Sequence, residues 1–113
     1  MRAVELKLLD GREVVVREPY ASESPGVMRS IMPLLKLSEG GKIEDPLRAV
    51  ELVMADEKMS ETLMGLVSLL SGLPVEGDEG LGHLGMSEYQ VLLATAIQMS
   101  VPEGGSPLAP KKS

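Results

Sequence analysis

Residues 3–17, AVELKLLDGREVVVR, decide the fold of this chain. Val4, Leu6 and Leu8 alternate with Glu5 and Lys7, and Val14 and Val16 alternate with Glu13, Val15 and Arg17 beyond Asp10 and Gly11, which is the pattern of two strands joined by a tight turn. A two-residue loop would mix the apolar and charged faces, whereas a three-residue loop ending at Gly11 keeps them apart and places Gly11 in the left-handed conformation. The sequence therefore predicts a β-hairpin in this register: Leu6 opposite Val14, Val4 opposite Val16, and Lys7 opposite Glu13. Its apolar face consists of Val4, Leu6, Leu8, Val14 and Val16.

A lone hairpin is marginally stable in water, so this face must lie on helices or on another chain. Apolar residues at helical spacing follow in three segments: about 25–37, 46–71 (either broken or bent near residue 59), and 88–99. We therefore predict an α+β fold with the N-terminal hairpin packed on a small bundle of three to four helices. We expect residues 1–101 to form a single domain and the Gly- and Pro-containing residues 102–113 to form a flexible tail.

Serine, proline and glycine predict where the helices begin and end. Ser24 and Ser87 are expected to be the N-caps of the first and last helices, and Ser60 is a candidate cap within the middle segment. Pro33 predicts a kink or a break in the first helix. Gly72 suits the left-handed position that follows a helix.

The composition argues against several classes of protein. The net charge is −6 and the eleven basic residues are scattered, which disfavours nucleic-acid binding. Cysteine is absent, so disulfides and thiolate metal sites are excluded. No apolar run approaches the roughly 18 residues of a membrane span. No nucleophile, general base or metal cage can be assembled, so we expect no enzyme, no cofactor and no metal.

Two features that resemble functional motifs are better explained without a ligand. His83 is the only histidine, and we expect it to be exposed in a loop. Residues 80–85, GLGHLG, match the letters of a dinucleotide-binding loop. They do not follow a strand in a βαβ unit, so we interpret the match as accidental.

The eight methionines are unusual in a chain that has no Phe or Trp. One interpretation is that they fill gaps in a core without large aromatic residues. The other is that they form a pliable surface that accepts an apolar segment of another chain. The candidate partner-binding residues on this second interpretation are Met28, Met32, Met54 and Met64.

The order of these parts resembles the tail assembly chaperones of long-tailed bacteriophages. The residues that carry the resemblance are Val4–Leu8, Asp10–Gly11, Val14–Pro19, Leu69–Pro74 and the helix from Ser87 to Met99. The resemblance implies a non-enzymatic protein that binds and solubilises a helical tape-measure protein and helps to recruit tail-tube subunits. It also implies a location in the host cytoplasm during assembly and absence from the mature virion. The family has no catalytic residues to transfer.

Two alternatives from other classes stay open. The chain could be a structural subunit of a virion, such as a connector, or a small acidic regulatory binding module. Self-association is a further open partnership, whereas nucleic acid and membranes are not expected.

The resemblance also bears on the C-terminal tail. Many chaperones of this family are made in two lengths by ribosomal slippage near the end of the reading frame. Consecutive lysines are the usual trace of such a site, and Lys111 and Lys112 are the only adjacent basic pair here. They are therefore the candidate frameshift site, with a solubilising function for a frayed terminus as the alternative.

Overall fold

The N-terminal hairpin packs on four helices in the computed structural model, which describes residues 1–38 and 45–101. The elements are β1 (Ala3–Lys7), β2 (Glu13–Arg17), α1 (Ser24–Leu37), α2 (Pro46–Met54), α3 (Glu57–Ser71) and α4 (Met86–Ser100), with short 3-10 turns at Ala21–Glu23 and Leu81–His83. This architecture confirms the predicted α+β fold.

The hairpin has the predicted register. β1 and β2 are antiparallel, with Leu6 opposite Val14 and Lys7 opposite Glu13. Gly11 has a φ of 94°, in the region that residues with a Cβ rarely adopt. The three-residue turn and its glycine are therefore confirmed.

The apolar face of the hairpin is covered by α3 and α4, which both contact β2. Val14 and Val16 are buried, as is Leu8 beside the turn, whereas Val4 and Leu6 are only half-buried. The largest fully buried side chains of the four helices are Ile31, Leu34, Val53, Leu63, Val67, Leu70, Leu92, Leu93 and Ile97. The core thus lies between β2 and the helices, and β1 lies at its margin.

The start of α1 differs from the prediction. Ser24 is already helical, because the 3-10 turn Ala21–Glu23 leads directly into the helix, so the prediction of Ser24 as N-cap is wrong. The Glu23 carboxylate accepts a hydrogen bond of 2.8 Å from the Tyr20 amide, at the start of that turn. This glutamate satisfies an amide that the helical segment itself leaves without an acceptor.

α1 continues through Pro33 to Leu37, so a break at Pro33 does not occur. A proline inside a helix removes the hydrogen bond to the carbonyl four residues earlier, here that of Arg29. Both Pro33 and Arg29 are exposed, so water can reach that carbonyl. The proline therefore costs less here than it would on the buried face.

The predicted segment 46–71 is divided into two helices by Ala55 and Asp56. The Asp56 side chain accepts a hydrogen bond of 2.9 Å from the Met59 amide and caps α3. Ser60 lies inside α3, so its predicted role as cap is wrong. A carboxylate at the N-cap both accepts the amide and complements the positive end of the helix dipole.

The end of α3 is as predicted. Gly72 has a φ of 77°, and its amide donates to the Ser68 carbonyl at 3.0 Å. The Ser68 hydroxyl in turn donates to the Leu73 carbonyl at 2.6 Å. These bonds close the helix and direct the chain into the loop that leads to α4.

α4 begins at Met86, with Gly85 at the N-cap position and no side-chain cap. Ser87 lies within the first turn, so the prediction of a Ser87 cap at a helix starting at residue 88 is wrong. A tertiary bond holds this turn instead: the Glu88 carboxylate accepts a hydrogen bond of 2.6 Å from the Leu9 amide. The hairpin turn and the start of α4 are thereby joined.

Replacing Gly11 tests the turn. Gly11→Val should lower the free energy of unfolding by about 1 kcal/mol or more, because a β-branched residue is strained at positive φ. An added Cβ would meet no atom within 4 Å, so a clash at the Cβ does not contribute to the loss. Gly11→Asn, which tolerates this region better, is the matched control and should lose less. Equal urea midpoints for the wild type and the Val variant would contradict the assignment.

Replacing Asp56 tests the boundary between α2 and α3. Asp56→Ala should cost about 1 kcal/mol of stability, because the Met59 amide loses its acceptor. Ser60→Ala, four residues into the same helix, is the control and should change the urea midpoint little. The reverse order of the two effects would place the helix start at Ser60.

Candidate functional site

The exposed face of α1 carries two of the candidate methionines. Val27, Ile31 and Leu34 form the buried stripe of this helix. Met28 and Met32 each follow a stripe residue and are one helical turn apart, with 37% and 39% of their surfaces exposed. The core-facing positions are already filled by the stripe, so these two methionines form an apolar surface at its border, which we call the α1 methionine surface.

A groove of about 180 Å³ adjoins this surface. Met28 lies on one side of it, and Met99 and Val101 from the end of α4 lie on the other. Arg2 and Glu18 from the ends of the hairpin complete its wall. The lining is therefore mainly apolar, with the two serines Ser24 and Ser100 and one ion pair as its polar part.

That ion pair closes the open end of the hairpin. The Arg2 amide donates to one Glu18 carboxylate oxygen at 2.8 Å, and Arg2 Nε donates to the other at 3.3 Å. The bond from the Arg2 amide is the main reason that the pKa of Glu18 lies below its ordinary value. Arg2 Nη2 also donates to the Met99 carbonyl at 3.5 Å. The hairpin is thus attached to the last turn of α4 beside the groove.

Arg17 binds the segment that leads into α1 and so holds the start of that helix against the hairpin. Its guanidinium donates to both Glu23 carboxylate oxygens, at 2.8 and 3.1 Å, and lies 4.4 Å from the centre of the Tyr20 ring. Such a bidentate pair is more directional than a single contact. It lowers the pKa of Glu23 and raises that of Arg17. This arrangement was not predicted, because the sequence shows only that the two charges are six residues apart.

A second, larger groove of about 500 Å³ lies between the start of α1 and α3. Small residues line it, notably Gly26 and Ser30 on α1 and Gly65 on α3. Their four-residue spacing on α1 was visible in the sequence. Small residues alone do not identify a ligand.

The other two candidate methionines lie elsewhere on the helices. Met54 is the last residue of α2 and is exposed, whereas Met64 in α3 is half-buried and packs against the core. Neither lines the groove beside Met28. The structure thus brings together Met28 and Met32 by helical spacing, and the gap-filling interpretation fits Met64 better.

The glycine-rich loop uses its amides internally. Gly80, Leu81 and Gly82 donate to the carbonyls of Gly77, Pro74 and Val75 at 3.0, 2.8 and 3.2 Å respectively. A phosphate-binding loop needs such amides to point at the ligand. In this structure these three amides are therefore engaged by carbonyls of the chain itself.

His83 is exposed at the end of the same loop. Within residues 1–38 and 45–101, no group of three or more acidic or histidine side chains could hold a metal ion. Over the same residues, no helix is both long enough and apolar enough to cross a membrane. The predicted tail of residues 102–113, with Lys111 and Lys112, lies outside the described residues.

Tyr89 is the one strongly perturbed tyrosine of the described chain. Burial raises its pKa to about 12, and its hydroxyl has no hydrogen-bond partner among the described residues. The side chain is almost wholly enclosed, with 5% exposed. It is therefore a core residue that a ligand outside the protein could not reach.

Comparison with protein-family models finds no match, and comparisons with curated proteins and with solved structures find no significant match either.

The Arg17–Glu23 pair should make stability depend on pH. The pKa of Glu23 is lowered in the folded chain, so the unfolded chain binds a proton first as the pH falls. Stabilisation by this pair is therefore present above pH 4.5, the ordinary glutamate value, and is lost as the pH falls through the lower folded value. Glu23→Gln should be less stable than the wild type at neutral pH and should approach it in acid.

Thermal unfolding across this range gives the measurement. Glu61→Gln, at an exposed position of α3, is the control and should follow the wild type throughout. A constant difference between wild type and Glu23→Gln at all pH values would contradict the effect of the ion pair.

Proposed function

We propose that this chain is a non-enzymatic tail assembly chaperone that binds apolar helical segments of a tape-measure protein and keeps them soluble. On this proposal it also assists the assembly of tail-tube subunits, acts in the host cytoplasm and leaves before the virion is complete. The family resemblance supplies the identity of the partner. The exposed methionines of α1 support binding through apolar contact with a helix.

The observation that carries the proposal is the α1 methionine surface beside the groove that Met28 shares with Met99. Two apolar side chains one turn apart present a strip that fits the apolar stripe of another helix. The long, unbranched methionine side chain can adapt to partners of different shape. A protein that must cover successive segments of one long helix needs this tolerance more than it needs a rigid pocket.

The charge of the chain suits the same function. A net charge of −6 opposes unspecific association of the protein and its complexes. Basic side chains border the surface: Arg29 follows Met28, and Lys36 lies one turn beyond Met32. The contact itself is made by uncharged methionine side chains, so recognition would rest on apolar contact and salt should change binding only weakly.

Co-expression with the tape-measure protein of the same genome tests the proposal. The wild-type chain should hold the tape-measure protein in the soluble fraction, and Met28→Glu/Met32→Glu should lose most of this effect. The two acidic side chains should raise the dissociation constant by about tenfold or more. Each substitution removes about 1 kcal/mol or more of the binding free energy that burial of the methionine side chain contributes.

The matched control is Val91→Glu, an apolar-to-acidic change at an exposed position of α4. It should solubilise the tape-measure protein as the wild type does. If the tape-measure protein precipitates equally with and without this chain, the proposal fails. Stoichiometric recovery of the chain in purified particles would indicate a structural subunit, and capture of a toxin would indicate a regulatory module.

A further inference from the structure

The outer edge of β1 presents backbone groups that the hairpin does not use. The Leu8 amide donates to the Arg12 carbonyl, and the Glu18 amide donates to the Arg2 carbonyl. In the observed register these pairs set the alternation of the ladder, so the even-numbered residues of β1 bond to β2. The amides and carbonyls of Ala3, Glu5 and Lys7 consequently point away from β2.

No other described element pairs with this edge. β2 differs, because it packs on α3 and α4, and Arg17 at its end donates to the Leu69 carbonyl at 3.5 Å. The half-buried Val4 and Leu6 also place β1 at the margin of the core. β1 contains neither a proline nor a bulge, two of the devices that commonly block edge-to-edge pairing.

The charges of β1 are self-complementary in one register. If two copies of β1 pair antiparallel about Leu6, Glu5 of each copy lies opposite Lys7 of the other. Both residues have outward backbone groups, so each such pair can exchange two hydrogen bonds. The two Leu6 side chains then meet at the centre, on the face that the monomer leaves half-covered. The exposed faces carry opposite charges side by side, which favours the pairing.

We propose that the edge of β1 binds a second copy of this chain, forming a continuous antiparallel sheet in the order β2-β1-β1-β2. The dimer is held by backbone bonds at Glu5 and Lys7 and by two Glu5–Lys7 charge pairs. It does not depend on the α1 methionine surface, so it stands or falls independently of the chaperone proposal.

Sedimentation over a series of micromolar to millimolar concentrations gives the first test. The wild-type chain should approach twice the 12.1 kDa mass of one chain as its concentration rises. Glu5→Pro removes an outward amide of β1 without removing a bond to β2. This variant should raise the dissociation constant of the dimer by about tenfold or more. The substitution is present in both copies, so two equivalent hydrogen bonds between the copies are lost.

Val15→Pro is the matched control. Val15 lies directly opposite Glu5, and its amide points from the outer edge of β2. The two variants therefore impose the same proline constraint on the same hairpin, and circular dichroism checks that each is folded. Val15→Pro should leave the dimer intact.

A charge exchange tests the register and remains decisive if a proline variant does not fold. Glu5→Lys alone places lysine opposite lysine in a homodimer, and Lys7→Glu alone places glutamate opposite glutamate. Each variant should be monomeric by itself. An equimolar mixture should form a heterodimer, because each Lys of one variant then meets a Glu of the other.

A wild-type chain that stays monomeric throughout the series overturns the proposal. So does a dimer that Val15→Pro disrupts and Glu5→Pro does not, because it would use the edge of β2. Two charge variants that remain monomeric when mixed, while both are folded, overturn the register. Failure of tape-measure solubilisation would leave these results unchanged.

Discussion

A two-stranded hairpin is marginally stable in water while its apolar face is exposed, and the rest of this fold depends on how that face is covered. β2 supplies the buried Val14 and Val16, and α3 and α4 lie against it. Arg17 follows immediately and binds the Glu23 carboxylate at the start of α1. A single strand therefore positions two helices through apolar contact and the start of a third through an ion pair. Because the Arg17–Glu23 pair joins the hairpin to α1, protonation of Glu23 should lower the stability of the fold.

The hairpin and the helix ends differ in how far the sequence predicts them. Alternation and Gly11 predict the register because a shift by one residue would move the buried Val14 and Val16 into water. Helix starts are less predictable because several polar residues compete for the same amides. Asp56 is favoured over Ser60 by its position before the first turn, and Glu88 is engaged by the Leu9 amide, far away in sequence. The last of these contacts is tertiary, so local patterns could not reveal it.

In the candidate site, too, some features follow from the local sequence and others depend on tertiary contacts. The helical spacing of Met28 and Met32 predicts that they share a face, and it does so equally for Val27 and Ile31. Only the positions of the neighbouring elements decide which of the two adjacent stripes is buried. The groove beside Met28 depends on Met99, which reaches it from the other end of the chain. The choice between gap filling and partner binding therefore could not be made residue by residue from the sequence, and the structure separates Met28 and Met32 from Met64.

The two strands are unequally buried, and the outer edge of β1 is open to pairing with a strand of another chain. An edge that carries only lysine repels its own copy and every other edge of that sign. An edge that carries Glu5 and Lys7, two residues apart, repels its copy in the register that sets Glu5 against Glu5 and attracts it when Glu5 meets Lys7. The apolar face adds the same preference, because only the latter register centres Leu6 on Leu6. Alternating charge on a short strand can thus select one pairing while the net charge of −6 opposes unspecific association.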